Sequence, residues 1–322
     1  MCLYTVQSLC TFSQAERTVR LLKDSAPRQC TTMLKLAQLV VTLCMAWFAA
    51  AVAPPPAPLS KIQVCGRWFC DSQGRVRIFH GMNDIQEAKD KGSFTGSNFL
   101  PHLMMEDGVQ DQVASWGFNV IRMPMMWSAI QPSISQIDQS YLRAIRNTTQ
   151  QLGSKGIYSF LDMHQDVISS AFGSYDGAPR WLINKTEPRH PYPWPLKLPL
   201  SQWGFGYLTE AVGQTFQELY KNTHGGRDAW AAAWKAAAQL FRSDSEILGY
   251  ELLNEPFPGD IWSDPLLLLP GVAGSKNLMP AYDAVAAAIR EVDDQTIVMF
   301  EPLTWGMIFP DSGVGHRIAG SG

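Results

Sequence analysis

The chain has 322 residues, of which 46% are hydrophobic and 17% charged, and a formal net charge of -3. That is enough apolar material for one large core, and it excludes a disordered chain. With no long run of Lys or Arg there is no electrostatic footprint for a phosphate backbone, which argues against nucleic acid and for a neutral or locally read ligand.

Leu36 to Ala53 is almost uninterruptedly apolar, follows Lys35, and ends in Ala49-Ala50-Ala51-Val52-Ala53 before Pro54-Pro55-Pro56. A positive flank, an apolar stretch and a small-residue exit make residues 33–53 an expected signal peptide, directing the chain to secretion or an endomembrane lumen. Because Met33 sits two residues before Lys35, residues 1–32 are expected to be an upstream extension. If Met1 is kept, the same segment reads instead as a type II membrane anchor, with Arg17, Arg20, Lys23, Arg28 and Lys35 on the cytoplasmic side. Cys2, Cys10, Cys30 and Cys44 fall in or before this segment, which leaves Cys65 and Cys70 for the exported chain. An even pair in an oxidising compartment predicts a disulfide; the alternative is two thiols in a hairpin. Asn147-Thr148-Thr149 and Asn184-Lys185-Thr186 are glycosylation acceptors that fit export.

After a Pro-rich linker, residues 54–60, the remaining chain (61–322) reads as one domain. Arg67-Trp68-Phe69 and Val76-Arg77-Ile78-Phe79 flank Asp71-Ser72-Gln73-Gly74, which predicts a hairpin with a Gly turn. Short apolar runs then alternate with segments of helical period. The runs are Arg77 to Asn83, Phe118 to Pro124, Ile157 to His164, Ile247 to Pro256 and Thr296 to Pro302. Helices are expected around Glu106 to Trp116, Gln139 to Leu152, Tyr207 to Phe241 with a break at Gly225-Gly226, and Ala281 to Val292. Each run stays apolar until its end and then presents Asn83, Arg122, His164 with Asp166, Asn254 with Glu255, or Glu301. Polar residues at successive strand ends meet on one face of a (β/α)8 TIM barrel of the α/β class. A doubly wound sheet is the competing fold, but there is no Gly-x-Gly-x-x-Gly after a strand and no Gly-Lys-Ser/Thr loop. Only about five strands are reached by residue 302, so the barrel is expected to be truncated.

Glu255 in Leu253-Asn254-Glu255-Pro256 is the main candidate for chemistry. Placed at the end of an apolar strand and half desolvated, it can keep a proton at neutral pH and deliver it to a leaving glycosidic oxygen. Its Asn254 neighbour can hydrogen-bond a sugar hydroxyl. The bland alternative is an Asn-Glu-Pro turn with the Glu serving a helix dipole. Asp162, His164 and Asp166 alternate as a metal site would, yet no second His cluster supplies further ligands, and no metal or other cofactor is expected. Trp181, Tyr192, Trp194 and Trp203 in the long stretch from Val167 to Phe205 suit sugar faces or, alternatively, pack the loop. Leu266-Leu267-Leu268-Leu269 reads as an apolar lip for acyl chains or a bilayer edge, or as a short buried helix.

Phe79-His80-Gly81-Met82-Asn83, Phe118-Asn119-Val120-Ile121-Arg122, Leu161-Asp162-Met163-His164-Gln165-Asp166 and Leu252-Leu253-Asn254-Glu255-Pro256-Phe257 resemble successive strand-end motifs of glycoside hydrolase family five. The Asp-Met-His-Gln-Asp string, with Asp176-Gly177-Ala178-Pro179-Arg180-Trp181 after it, resembles the endoglycoceramidase branch. The resemblance implies retaining cleavage of the glycan–ceramide bond of glycosphingolipids, with Glu255 as acid/base, Asn254 orienting the sugar and Arg122 supporting the carboxylates. His164 and Asp166 would contact sugar hydroxyls, Trp181 would give a stacking face, and Lys89 would match a lysine that follows the first strand. A glycolipid or oligosaccharide is the implied partner. The second carboxylate of a retaining pair belongs to the seventh strand in this family, so the truncated chain is expected to be inactive by itself, and Glu301 to serve as a substrate or supporting contact. The alternatives are a β-glucosidase or glucanase acting on glucosylceramide, sterol glucoside or β-glucan, and a fragment that binds glycolipid without cleaving it.

Overall fold

The structure, a computed structural model, describes residues 58–84, 99–173 and 177–303. The expected signal or anchor, the residues before it, and Lys89 lie outside the described residues. Among the described residues no helix is long and apolar enough to cross a membrane.

The described chain starts with a small antiparallel sheet of β1 (Gln63–Cys65), β2 (Trp68–Cys70) and β3 (Val76–Arg77). Its second turn closes on Asp71, whose carboxylate accepts the backbone N–H groups of Gln73 and Arg75 at 3.0 and 3.1 Å. Gly74 takes the left-handed φ of +75° that this turn needs. Cys65 and Cys70 are joined in a disulfide, with Cα atoms 6.0 Å apart. The expected strand Arg77 to Asn83 is two elements. Arg77 pairs with Phe69 in the small sheet, and β4 (Gly81–Asn83) begins the large one. An apolar run carries no mark of where its pairing partner changes.

The large sheet contains β4, β5 (Val120–Met126), β6 (Tyr158–His164), β7 (Ile247–Glu251) and β8 (Ile297–Met299), in that order and parallel throughout. Strands laid down in unbroken chain order form the wall of a (β/α)8 barrel, whereas a doubly wound sheet reverses its order partway. The outer face is covered by α1 (Val109–Ser115), α2 (Gln139–Ser154), α3 (Glu210–Lys221), α4 (Gly226–Phe241) and α5 (Met279–Arg290). α2 starts at Asp138, whose side chain accepts from the N–H groups of Ser140 and Tyr141, an N-cap that ties down two orphan donors. α3 and α4 are separated by left-handed Asn222 and Gly225, which breaks the long Tyr207 to Phe241 segment.

Alternation along the strands sorts the side chains into two layers. Ile121, Met123, Leu161, Met163 and Tyr250 face the helices and join one buried cluster with Trp230, Trp234 and Tyr282. Val120, Tyr158, Phe160, Leu248, Ile297 and Met299 form a second cluster with Leu59, Ile62, Phe69 and Phe79 from the N-terminal hairpin region. The floor of the barrel wall is therefore apolar, and the side chains two to four residues further along each strand stand above it.

Candidate active site

Arg122 lies two residues beyond Val120 on β5, in register with Phe160 and Asn83. Its guanidinium gathers groups from three other strands. Nε donates to Glu251 Oε2 at 2.6 Å, and Nη2 donates to Asn254 Oδ1 at 2.9 Å and to Glu301 Oε1 at 3.2 Å. Nη1 lies 3.1 Å from Asp162 Oδ2. That same carboxylate oxygen is 2.7 Å from His164 Nδ1, so it orients the imidazole, and His164 Nε2 sits 3.7 Å from Asp166 Oδ2. Only Asp162 and His164 share the β6 strand face; Asp166 follows in the loop. Among the described residues no group of three His, Cys, Asp or Glu is placed to hold a metal ion.

The run Ile247 to Pro256 predicts Glu255 at the end of a strand, but β7 ends at Glu251. Pairing nonetheless continues on both sides. Leu252 N–H donates to Met299 O, and Asn254 N–H donates to Met163 O, each at 3.0 Å. Pro256 cannot extend that ladder, and Glu255 turns out of it with a left-handed φ of 41°, an unusual conformation for a residue with a side chain. Two contacts hold it there. Its N–H donates to Glu301 Oε2 at 3.0 Å, and its carbonyl accepts from Gln165 Nε2 at 2.9 Å. Gln165 Nε2 also donates to Asn254 O at 2.8 Å, while its Oε1 accepts from the N–H of Ile168. Val167 and Ile168, both β-branched, have φ of 53° and 60°. Backbone held in this region costs of order 1–3 kcal/mol per residue and persists only where its surroundings over-determine it. Here the Gln165 amide is that restraint, locking the loop after β6 to the segment after β7.

The electrostatics follow from three acids around one cation. Burial works against the charge of Arg122, but Asp162, Glu251 and Glu301 outweigh it and raise its pKa. Burial raises the Glu255 carboxyl above the ordinary carboxylate range. The neighbouring Asp166 and Glu301 add to this, while His164 and Arg122 oppose it. An acid in such surroundings can stay protonated nearer neutrality than a surface glutamate.

The remaining candidates are placed as follows. Asn254 is buried, with its Oδ1 on Arg122 and its Nδ2 donating to Gln165 O at 2.9 Å. Trp181 is half-buried against the main core, donates its indole N–H to Gln131 O at 2.9 Å, and carries Lys185 Nζ over its ring, 5.5 Å from the centroid. Pro265–Leu268 form one 3-10 turn in which Leu267 is buried and Leu266, Leu268 and Leu269 are exposed. The loops after β6 and β7 are stapled together: Arg189 bonds Glu210, Asp260 and Ser263, His190 bonds Glu210 and stacks on Trp194, and Trp194 meets the edge of Trp262. Asp162 is considered from sequence only as part of a metal trio, and Gln165 and Glu251 are given no role there, although all three are buried parts of the network. Their signal was strand parity: Glu251 and Asp162 share the inward face with Arg122. It is easily missed when a carboxylate is assumed to avoid a core.

A family model described as Cellulase (glycosyl hydrolase family 5) matches residues 87–313. The chain is 39% identical over 250 residues to an endoglycoceramidase of Cyanea nozakii, which covers 73% of this chain and 49% of that protein. It is 37% identical over 250 residues to an endoglycoceramidase of Hydra vulgaris, covering 73% and 48%. The chain thus spans about half the length of the curated relatives it matches. Among solved structures, endo-glycoceramidase II from a Rhodococcus species, in complex with a five-membered iminocyclitol, superposes with a TM-score of 0.58 at 26% identity, covering 82% of this chain and 57% of that one.

Proposed function

The chain belongs to glycosyl hydrolase family 5, and on that premise we propose that it carries the acid/base half of a retaining hydrolysis of the glycan–ceramide bond in glycosphingolipids. The observation that supports this most is the setting of Glu255: a carboxyl with raised pKa on a backbone fixed from both sides by Gln165 and Glu301. In its protonated form it can give a proton to the departing glycosidic oxygen. As the carboxylate it can then take a proton from the water that frees the glycan. Arg122 holds the surrounding acids, and Asn254 is left with one amide N–H for a sugar hydroxyl. His164 and Asp166 contact further hydroxyls, Trp181 stacks through the ring face that Lys185 leaves clear, and Lys89 is assigned to substrate by its motif position alone.

A retaining pair needs a second carboxylate about 5 Å from the first. Glu301 is already committed to Arg122 and to the Glu255 N–H, which supports a positioning role for it. The nucleophile is assigned to none of the described residues.

Export is part of the proposal, supported by the Cys65–Cys70 disulfide, a bond that persists in oxidising compartments. So is peripheral contact with a lipid surface through Leu266, Leu268 and Leu269, beside the partly exposed Trp194 and Trp262.

The test is to join this chain to the last three βα units of an endoglycoceramidase relative and follow glycan release from a glycosylceramide. Glu255→Gln should lower the rate by on the order of 10^2-fold or more, and much less for an aryl glycoside whose leaving group needs no proton. An unchanged rate on the glycosylceramide would refute the assignment.

A further inference from the structure

Arg122 is the only cation among the described residues that touches Asp162, Glu251 and Glu301, and all three acids share it. His164, the other basic group nearby, is spent on Asp162 and Asp166. Three ionised carboxylates against one guanidinium, above an apolar floor, would leave like charges uncompensated in a poorly solvated place, which is costly. The geometry points to where the imbalance is resolved. Glu251 is the deeper of the two glutamates, with a side chain 10% exposed against 31% for Glu301. Both carboxyl groups stand on the same guanidinium, Glu251 Oε2 on Nε and Glu301 Oε1 on Nη2, and two carboxyls brought together in this way can share a hydrogen bond only if one of them supplies a proton.

We propose that Glu251 is a positioning residue that holds a proton and donates it to Glu301, keeping Glu301 seated on Arg122 and on the backbone N–H of Glu255. The groups facing Glu251 are Arg122 on β5, Asp162 and His164 on β6, and Glu301 after β8, with Asn254 and Glu255 following on its own segment. Below it lie Phe160 and Met299, which offer no charge. Burial, the Asp162 charge and the bond to Glu301 push its pKa up to about 8, against the opposing pull of Arg122. Glu251 thereby behaves as a neutral donor near pH 7, and a single arginine suffices for the other two acids. If the hydrogen is lost, Glu251 and Glu301 repel, Glu301 leaves the Glu255 N–H, and the left-handed turn at Glu255 loses one of its two restraints. The consequence for catalysis rests on Glu255 being the acid/base; the protonation itself does not.

The experiment is therefore independent of turnover: a pH titration, by carbon-13 NMR of glutamate δ-carboxyls, on the full chain. The parent should show one carboxyl with a midpoint near 8 that vanishes in Glu251→Gln and persists in Glu246→Gln and Glu255→Gln. Gln keeps a donor for Glu301, so the Glu255 resonance should titrate in Glu251→Gln as in the parent, whereas Glu251→Leu, which has no donor, should shift it. A parent with no glutamate carboxyl titrating above the ordinary range overturns the proposal without need of any variant. So does a high-midpoint signal that survives in Glu251→Gln, or a Glu255 titration that responds alike to Gln and Leu. Should Glu251→Gln fail to fold, a lower midpoint in Glu301→Gln, which removes the raising partner, supports the assignment, and loss of the signal in Glu246→Gln or Glu255→Gln overturns it. A Glu255→Gln fusion that retains full activity would instead sink the functional reading and leave these signals untouched.

Discussion

Replacing Arg122 with Met keeps most of the stem volume and removes the guanidinium, so the loss reports the charge network rather than packing. Three acids, of which Asp162 is fully buried and Glu251 nearly so, lose their shared partner. Breaking a buried ion pair from one side costs about 3–5 kcal/mol, a large part of the 5–15 kcal/mol that typically separates a folded domain from its unfolded chain. For a domain of this size each kcal/mol lowers Tm by roughly 2–4 °C, so a fall of about 10 °C is expected near pH 8. The sign with pH follows from linkage. Glu251 is already raised in the parent and loses the opposing pull of Arg122 in the variant, so its stabilising contribution is complete at low pH and is lost as pH rises through its folded value. The gap between variant and parent should narrow near pH 4.5, where Glu251 holds its proton with or without the cation. Urea denaturation followed by tryptophan fluorescence at both pH values reads this directly. A destabilisation that is equal at the two pH values, or below about 1 kcal/mol at pH 8, would refute the network as drawn.

Gln165→Ala removes a buried amide that serves both Glu255 and the strained loop at Val167 and Ile168; a loss of about 1–3 kcal/mol is expected, with increased hydrogen exchange of the Ile168 amide as the local signature. Gly249→Ala places a Cβ 2.7 Å from Met299 Cε and 2.9 Å from Ile297 O on the barrel floor under Glu251, and should cost about 1–3 kcal/mol by thermal melting. Leu266→Ser with Leu269→Ser should reduce sedimentation with glycosylceramide-containing vesicles several-fold while leaving Tm unchanged within about 2 °C, since both side chains are exposed. Equal vesicle binding would remove the lipid-facing role of this turn.

Strand order and the polar strand ends were legible because a parallel strand buried on both faces reads as an apolar run, and a polar residue at its exit interrupts the run. Arg122, His164, Asn254, Glu255 and Glu301 all emerged this way. The inward acids within the strands were harder to read: Asp162 drew notice only as one of a metal trio, and Glu251 drew none. Asp162 and Glu251 interrupt their runs by a single residue, and only the knowledge that Arg122 stands opposite explains a carboxylate there. The division between β3 and β4 was hidden for another reason: both halves are extended, and what separates them is the partner each strand pairs with. The left-handed turn at Glu255 was hidden too, because its restraints come from Gln165 and Glu301, far away in sequence.

Arg122 reaches its partners Glu251, Asn254 and Glu301 across sequence separations of 129, 132 and 179 residues. A ribosome adding roughly 5–20 residues per second exposes the arginine some ten to thirty-five seconds before the last of them. Until Glu251 emerges, 129 residues on, the guanidinium has only Asp162 to meet among these acids, and stays hydrated while β4 to β6 associate. The polar layer of the site thus closes together with the last part of its apolar floor, Ile297 and Met299 on β8. Contacts formed after the barrier of folding act on the unfolding rate alone, so loss of Arg122 should tell mainly as faster unfolding.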